Sequence, residues 1–440
     1  MTNTILRLGV LGATTAVQAT YLPILHSLKG HYVLTIIYDP SEEVVQQCQT
    51  RFNIPHSTTT VEDVLLHKDV DVVLNLLPIE SHEKHTVTAL EAGKDVMVEV
   101  PLTMSIPSLR RIREATKKGK AARSNNTTSP DGPRVFVGCA RRYAPCFTEV
   151  FQQELASLGR IHYARCRNIA GPMNIPAPTP TPTSNSNENG NKTNGASTAN
   201  PLDSLNCAVQ FTKLLEDVFG EDITPDRIAF CRYLSMLGCH DLSLMRDSLG
   251  FPDAVSNVAI TDPFYSAIFH YTNAADGHPF TLVYEAGVDA VPRCDAHLTV
   301  YGANKTISVE YDFPRPGEKI SQGTFVKVIV EEVESGQAGE GLLGNGHENG
   351  NGHANGNGEA KNNQNGNGNQ LVGPRIKRTE TVSSCEEAYE REFLALHSYL
   401  LGGNSAAKTT ADDAVMDLRL LLMIFEHYNR QCGTIRTPLG

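Results

Sequence analysis

ILRLGVLGATTAVQATYLPILHSLKGHYVLTIIYD, residues 5–39, reads as strand, turn, helix and strand. Residues 5–12 are apolar except for Arg7, and Gly12 follows where a strand must turn. A helix is predicted from about Thr15 to Leu28, stopped by Gly30, and residues 33–39 form a second apolar strand ending at Asp39. Strands that are apolar on both faces and separated by a helix belong to a parallel sheet covered on both sides.

The alternation continues outward. Ser41 caps a helix with Glu42 and Glu43 in its first turn and Val44, Val45, Cys48 and Phe52 on one face. Thr60 and Asp63 suggest a short helix before the apolar strand VDVVLNLL (70–77). Ser81 opens a helix ending at Gly93, DVMVEV (95–100) is the next strand, and Ser105 with Pro107 opens a helix finishing at Lys117, Lys118 and Gly119. Residues 1–134 are therefore expected to form a doubly wound α/β domain.

After residue 135 the period changes. Helical segments near 144–158, 202–218 and 235–249 give way to alternating strands: SAIFHYTN, FTLVYEAGV, AHLTVYG, TISVEYDF and FVKVIVEEV. Gly302-Ala303-Asn304-Lys305 reads as a hairpin turn. Two closing helices carry the stripes Tyr389, Phe393, Leu396, Leu400 and Val415, Leu418, Leu422, Phe425. Residues 135–440 are expected to form an α+β domain on a mostly antiparallel open sheet. Three polar tracts interrupt the chain: 119–134, 172–204 (Pro, Thr, Ser and Asn) and 335–374 (Gly and Asn). Such tracts bury too little apolar surface to offset ordering and are expected as surface loops without fixed structure, the last two as disordered inserts. His347 and His353 fall in the last one, and solvated low complexity outweighs a metal role there.

Composition narrows the function. The 440 residues hold 38 Lys and Arg against 49 Asp and Glu, a formal charge of −11, without the basic stripe of a nucleic-acid binder. No apolar run has the length of a membrane span. The apolar start could be misread as a signal peptide, but Arg7 interrupts it and Gly9 and Gly12 suit a strand and turn. The ten cysteines have no CxxC pair, which fits reduced thiols in a cytoplasmic protein.

Candidate chemistry collects at strand ends. Gly12-Ala13-Thr14-Thr15-Ala16-Val17 occupies the place of a GxGxxG dinucleotide loop, with Thr14 and Val17 where the later glycines belong. Thr14 and Thr15 either contact phosphate or cap the helix. Asp39 either accepts from adenosine ribose hydroxyls, selecting NAD over NADP, or forms a turn before Pro40. His82 lies one turn after Pro78, and His85 shares its helical face, but no third ligand for a zinc ion is visible. No metal is expected. Glu99 ends a strand, and its carboxylate either bonds the cofactor or faces solvent. His240 beside Asp241 opens a helix, as a proton-transfer pair or as a structural histidine and capping acid. Cys239 is a nucleophile candidate only against the commoner inert buried thiol.

Six segments in order resemble the Gfo/Idh/MocA family, the glucose–fructose oxidoreductase and inositol dehydrogenase type. They are GVLGATTAVQATYLPIL, LLPIESHEKHTVTALEAGKDVMVEVPLTMS, VGCARRYAP, GRIHYARCRN, GCHDLSLMRDSLG, and the closing AYEREF with TTADDAVMDLRLLLMIFE. The resemblance implies an N-terminal Rossmann domain, a C-terminal sheet that often forms a homo-oligomer interface, and hydride transfer between NAD(P) and a small sugar or polyol. It implies that Gly12, Ala13, Thr14, Thr15 and Ala16 hold the pyrophosphate and Asp39 the ribose. Leu77, Pro78, His82 and Glu99 would line the cofactor. His240 would match the catalytic histidine with Tyr143 as helper, and Arg142 and Asp241 would border the substrate. Two positions depart from the family. Val100 stands where it carries a lysine that polarises or protonates the reacting oxygen, and Met236 stands where an acid is often found. The alternative implied by those losses is a non-catalytic regulator that binds a nucleotide or metabolite on the same fold.

Overall fold

A computed structural model describes residues 4–123, 132–171, 201–312, 324–334, 375–402 and 407–432, with side chains of 201–205 and 431–432 excepted. The 335–374 tract, with His347 and His353, lies outside the described residues, as do 124–131 and 172–200. Residues 201–204, expected within a disordered insert, instead begin a helix, and 119–123 are also helical.

The first sheet has six parallel strands in the order β3-β2-β1-β4-β5-β6. They are β1 (Leu6–Leu11), β2 (Tyr32–Tyr38), β3 (His56–Thr58), β4 (Val72–Asn75), β5 (Asp95–Glu99) and β6 (Val135–Gly138). The expected first helix runs from a π-helical turn, Val17–Tyr21, into α1 (Leu22–Ser27). The crossovers are α2 (Glu42–Phe52), α3 (Val61–Leu65), α4 (Ile79–Glu91) and α5 (Ile106–Arg123). The short β3 carried too few residues to announce itself in the sequence.

α5 does not stop at Gly119. It continues to Arg123, and Gly119 lies where α5 crosses α4: a Cβ there would stand 1.9 Å from Leu90 O and 2.8 Å from Pro133 Cγ. This glycine permits a close helix approach and ends nothing. Gly119→Ala should therefore lower stability by about 1–3 kcal/mol through overpacking. Chemical denaturation checks it, and an unchanged midpoint would mean that the two helices separate without cost.

The second domain adds 3₁₀ and π turns at Ala140–Tyr143 and Cys146–Phe151, then α6 (Gln152–Ala156), α7 (Pro201–Phe219), α8 (Pro225–Tyr233) and α9 (Cys239–Leu249). Its eight strands are β7 (Tyr163–Ala170), β8 (Ala254–Thr261), β9 (Phe264–Thr272), β10 (Pro279–Val288), β11 (Cys294–Tyr301), β12 (Lys305–Tyr311), β13 (Phe325–Val333) and β14 (Ile376–Ser384). Their order is β14-β13-β12-β11-β7-β10-β9-β8, antiparallel except where β10 meets β7. β7 and the edge strands β8 and β14 were not read from the sequence. β7 buries Ala164, Cys166, Asn168 and Ala170 and so lacks the large β-branched residues that mark a strand.

The closing helices α10 (Cys385–Leu400) and α11 (Ala411–Cys432) cross the division expected at residue 134. Phe393, Leu396 and Leu400 of α10 pack with Leu8, Val10 and Leu74 on one face of the first sheet. Ala414 and Leu418 of α11 join Val73, Val96 and Leu90 on the other. The lead-in to α11 also reaches β6, where Val137 N donates to Thr409 O at 2.8 Å. No helix among the described residues is long and apolar enough to cross a membrane.

Candidate active site at the carboxyl edge of the first sheet

The strand order reverses direction between β1 and β4, so a crevice opens outside their carboxyl ends, where open α/β sheets take ligands. Gly12 turns the chain there with φ +98°, and a Cβ on it would meet Leu76 O at 3.2 Å and Leu77 Cδ2 at 3.3 Å. The one glycine retained from the loop pattern is thus required by both conformation and space. Thr14, Thr15 and Ala16 follow, all exposed, in the first turn of the helix, whose amides lack intrahelical acceptors. Thr14 caps it, Oγ1 accepting from Val17 N at 3.4 Å.

Asp39 braces this loop. Its Oδ2 accepts from Ala13 N at 3.0 Å and its Oδ1 from Ser41 N at 3.0 Å. The turn-forming role is therefore real, and the remaining carboxylate lone pairs are what a ribose would use. Beside Asp39 a cavity of about 380 Å³ is lined by Tyr38, Thr60, Glu62, Ser81, Lys84 and, from α7, Gln210.

Leu77 and Pro78 form the β4 rim of the crevice. His82 does not reach into it. Buried to 3% exposure, its Nε2 faces Leu77 O at 2.8 Å and its Nδ1 faces Pro101 O at 3.0 Å. It bridges the β4 and β5 rims with both ring nitrogens on backbone carbonyls. Burial lowers its pKa, and burial drives His85 down to about 4. Among the described residues no cluster of three metal-ligating side chains forms.

Glu99, half-buried at the end of β5, accepts from the Tyr21 hydroxyl. Behind it stands a second acid that sequence reading missed. Glu392 of α10 is fully buried, its Oε1 accepts from Cys139 N at 2.5 Å, and its Oε2 has no partner. Burial, helped by the charge of Glu99, holds Glu392 well above the usual carboxylate range. The linkage has a definite sign. An acid raised in the fold contributes stability present below its ordinary range and lost as pH rises through the folded value. Glu392→Gln keeps an acceptor for Cys139 and removes that loss. Denaturation over a pH series should find the variant equal to the parent in acid and more stable on the alkaline side. Parallel curves would mean that Glu392 is ionised in the fold.

The second domain meets this edge through α9. Cys239 Sγ lies 3.4 Å from Val100 O, and Val100, 4% exposed, packs in one apolar cluster with Cys139 and Cys239. His240 follows, half-buried, with Nδ1 4.0 Å from Cys139 Sγ and Nε2 without a partner among the described residues. Burial first, then the charge of Arg141, depresses its pKa to about 3. Burial pushes the Cys139 thiol up to about 12 and the Cys239 thiol well above its usual range, so both are inert as nucleophiles at neutral pH. Met236 packs at the margin of the second domain's core.

Three expected site residues lie elsewhere. Asp241 is fully buried: Oδ1 accepts from Arg141 at 2.8 Å and Tyr311 at 3.0 Å, and Oδ2 from Asn168 at 2.7 Å. Arg142 is 2% exposed and committed to Ser243, Asp247, Asp413 and Lys408 O. The Tyr143 hydroxyl is 2.8 Å from Thr409 Oγ1 and its ring stacks on Phe136. These side chains are engaged by protein partners.

Residues 6–126 match the model described as "Oxidoreductase family, NAD-binding Rossmann fold". Inositol 2-dehydrogenase of Corynebacterium glutamicum is 31% identical over 142 residues, 32% of this chain and 38% of that protein. The 4-carboxy-2-hydroxymuconate-6-semialdehyde dehydrogenase of a Sphingobium strain is 29% identical over 140 residues, 32% of this chain and 40% of its own. The chain thus spans well under half the length of the curated relatives it matches. Solved structures extend the likeness in fold to both domains. A 3-ketoreductase of Actinomadura kijaniata, in complex with NADP and TDP-benzene, superposes at a TM-score of 0.57 over 95% of this chain and 96% of that one, at 13% identity. An oxidoreductase of Thermotoga maritima does so at 0.58 over 97% and 98%, at 16% identity. With its six-stranded parallel sheet, its glycine turn at the switch point and the match over residues 6–126, the first domain is similar to the NAD-binding Rossmann domain of the Gfo/Idh/MocA oxidoreductases.

Proposed function

We propose that the protein is an NAD(P)-dependent oxidoreductase that moves a hydride to or from a hydroxyl or carbonyl carbon of a small metabolite, a sugar, a polyol or a specialised relative of these. The observation that carries the reading is the docking of α9 on the sheet edge: the Cys239–Val100 contact sets His240, with an unpartnered Nε2, beside the end of β5. On this reading the Gly12–Ala16 turn receives the pyrophosphate and Asp39 the adenosine ribose. The cavity beside Asp39 takes the adenine, Leu77, Pro78 and Glu99 border the nicotinamide half, and His240 meets the reacting oxygen. The cofactor supplies the hydride chemistry, and the chain supplies orientation and a proton. Self-association through the open face of the second sheet goes with the same family resemblance.

Calorimetric titration with NADH and NADPH tests it, because a chain without Trp has no tryptophan emission for a nicotinamide to quench. NADH should bind the more tightly, since Asp39 accepts from a free ribose and repels a 2′-phosphate. A preference for NADPH would overturn the role of Asp39. Absence of binding by either at millimolar concentration would overturn the oxidoreductase reading. A second reading, a regulator that binds a nucleotide or metabolite without turnover, draws on one observation: Val100 places apolar surface where an amine would assist the reacting oxygen. It predicts nucleotide binding with no turnover of aldoses, ketoses or polyols.

A further inference from the structure

A histidine that works as a general base is ordinarily oriented by a carboxylate, which accepts Nδ1–H and stabilises the imidazolium. His240 has the opposite surroundings. Its Nδ1 faces the Cys139 thiol at 4.0 Å, and among the described residues no carboxylate hydrogen-bonds the ring. The neighbouring Asp241 is turned away into Arg141, Tyr311 and Asn168. The charged group that acts on His240 is the Arg141 cation, which disfavours an imidazolium. Cys139 is itself held in place, 1% exposed, by its backbone N–H on Glu392 Oε1 at 2.5 Å. A buried thiol that stays protonated is a donor, so the ring nitrogen facing it is an acceptor and the single ring proton sits on the other nitrogen.

We infer that Cys139 is a positioning residue that fixes His240 as the neutral Nε2–H tautomer, fitting the site to carbonyl reduction in preference to alcohol oxidation at neutral pH. The inference rests on the oxidoreductase reading above for its direction, and on the Cys139–His240 geometry for the tautomer. In the reduction the carbonyl carbon takes a hydride, with its electron pair, from a dihydronicotinamide. The C=O π pair moves to oxygen. The oxygen takes the proton of Nε2 while Nδ1 takes the proton of the thiol, leaving an alcohol, an oxidised nicotinamide and a Cys139 thiolate; after product release water protonates Nε2 of the half-buried ring and Nδ1 returns its proton to the sulfur. A thiol is a far stronger acid than an alcohol, so the net transfer to the reacting oxygen runs downhill. The reverse reaction would need the thiolate first, which is scarce at neutral pH.

The test is imidazole ¹⁵N NMR of His240 in the full chain, with Cys139→Ser and Cys139→Ala beside the parent and His240→Ala to assign the signal. The expected result is an unprotonated Nδ1 and a protonated Nε2 in the parent across neutral pH. Cys139→Ser, whose hydroxyl also donates, should retain that pattern, and Cys139→Ala should give a mixture of tautomers. An Nδ1–H tautomer or an imidazolium in the parent would overturn the inference, as would an Ala variant indistinguishable from the parent. NADH and NADPH titrations of the same samples separate the two failures. A tautomer as assigned in a chain that binds neither nucleotide would remove the oxidoreductase reading and the direction with it, whereas nucleotide binding with the wrong tautomer would remove only the role of Cys139.

Discussion

Replacing Asp241 with alanine should cost the fold about 3–5 kcal/mol, the range for removing one partner of a buried ion pair. The carboxylate is 0% exposed and bonds Arg141, Tyr311 and Asn168, which come from the turn after β6, from β12 and from β7. Three separate parts of the second domain are thus tied at one point. Without the acid, the Arg141 guanidinium stays buried over the Tyr311 ring at 4.4 Å and loses the Asp241 carboxylate as a charge partner. Asp241→Asn should be nearly as damaging, because the amide keeps the shape and loses the charge. Urea denaturation read at the midpoint and slope measures the effect. A loss below about 1 kcal/mol for either variant would mean that water replaces the carboxylate and that this hub does not hold the domain.

Asp241 also marks where sequence reading stops. The alternation of apolar strands and capped helices is a local property, and it located four of the six strands of the first sheet, missing the short β3 and β6. The end of α5 was misread because Gly119 looks the same in sequence whether it stops a helix or admits a neighbouring one. β7 escaped because its inward residues are small. At the site, Gly12, Asp39 and His240 were legible because a turn, a strand end and a helix start fix where they lie. Direction was not legible. Consecutive helical residues point about 100° apart, so His240 can face the sheet edge while Asp241 faces the interior. Neighbours in sequence therefore need not share a direction, and Arg142 and Tyr143 are likewise engaged by protein partners of other elements. Glu392 did leave a signal. It lies three residues after Tyr389 and four before Leu396, an acid inside an apolar stripe, and such a residue is buried with a partner or held neutral.

Replacing His240 with alanine should lower turnover by about 10²–10⁴-fold, the usual contribution of a positioned proton donor. The expectation follows from what else the site offers. Val100 brings no amine, Tyr143 is bonded to Thr409, and Cys139 reaches the crevice only through the histidine. Among the described residues these three do not supply a second donor, and the loss should fall on kcat, with KM nearly unchanged. Nucleotide affinity should also be unchanged, because the Gly12 turn and Asp39 belong to the other domain and do not contact His240. Single-turnover oxidation of bound dihydronicotinamide, followed with a carbonyl substrate at saturation, separates chemistry from binding. A variant that turns over within about threefold of the parent would remove His240 from the chemistry, since proton donors are worth far more than that. Simultaneous loss of nucleotide binding would instead make His240 a part of the α9 docking that joins the domains.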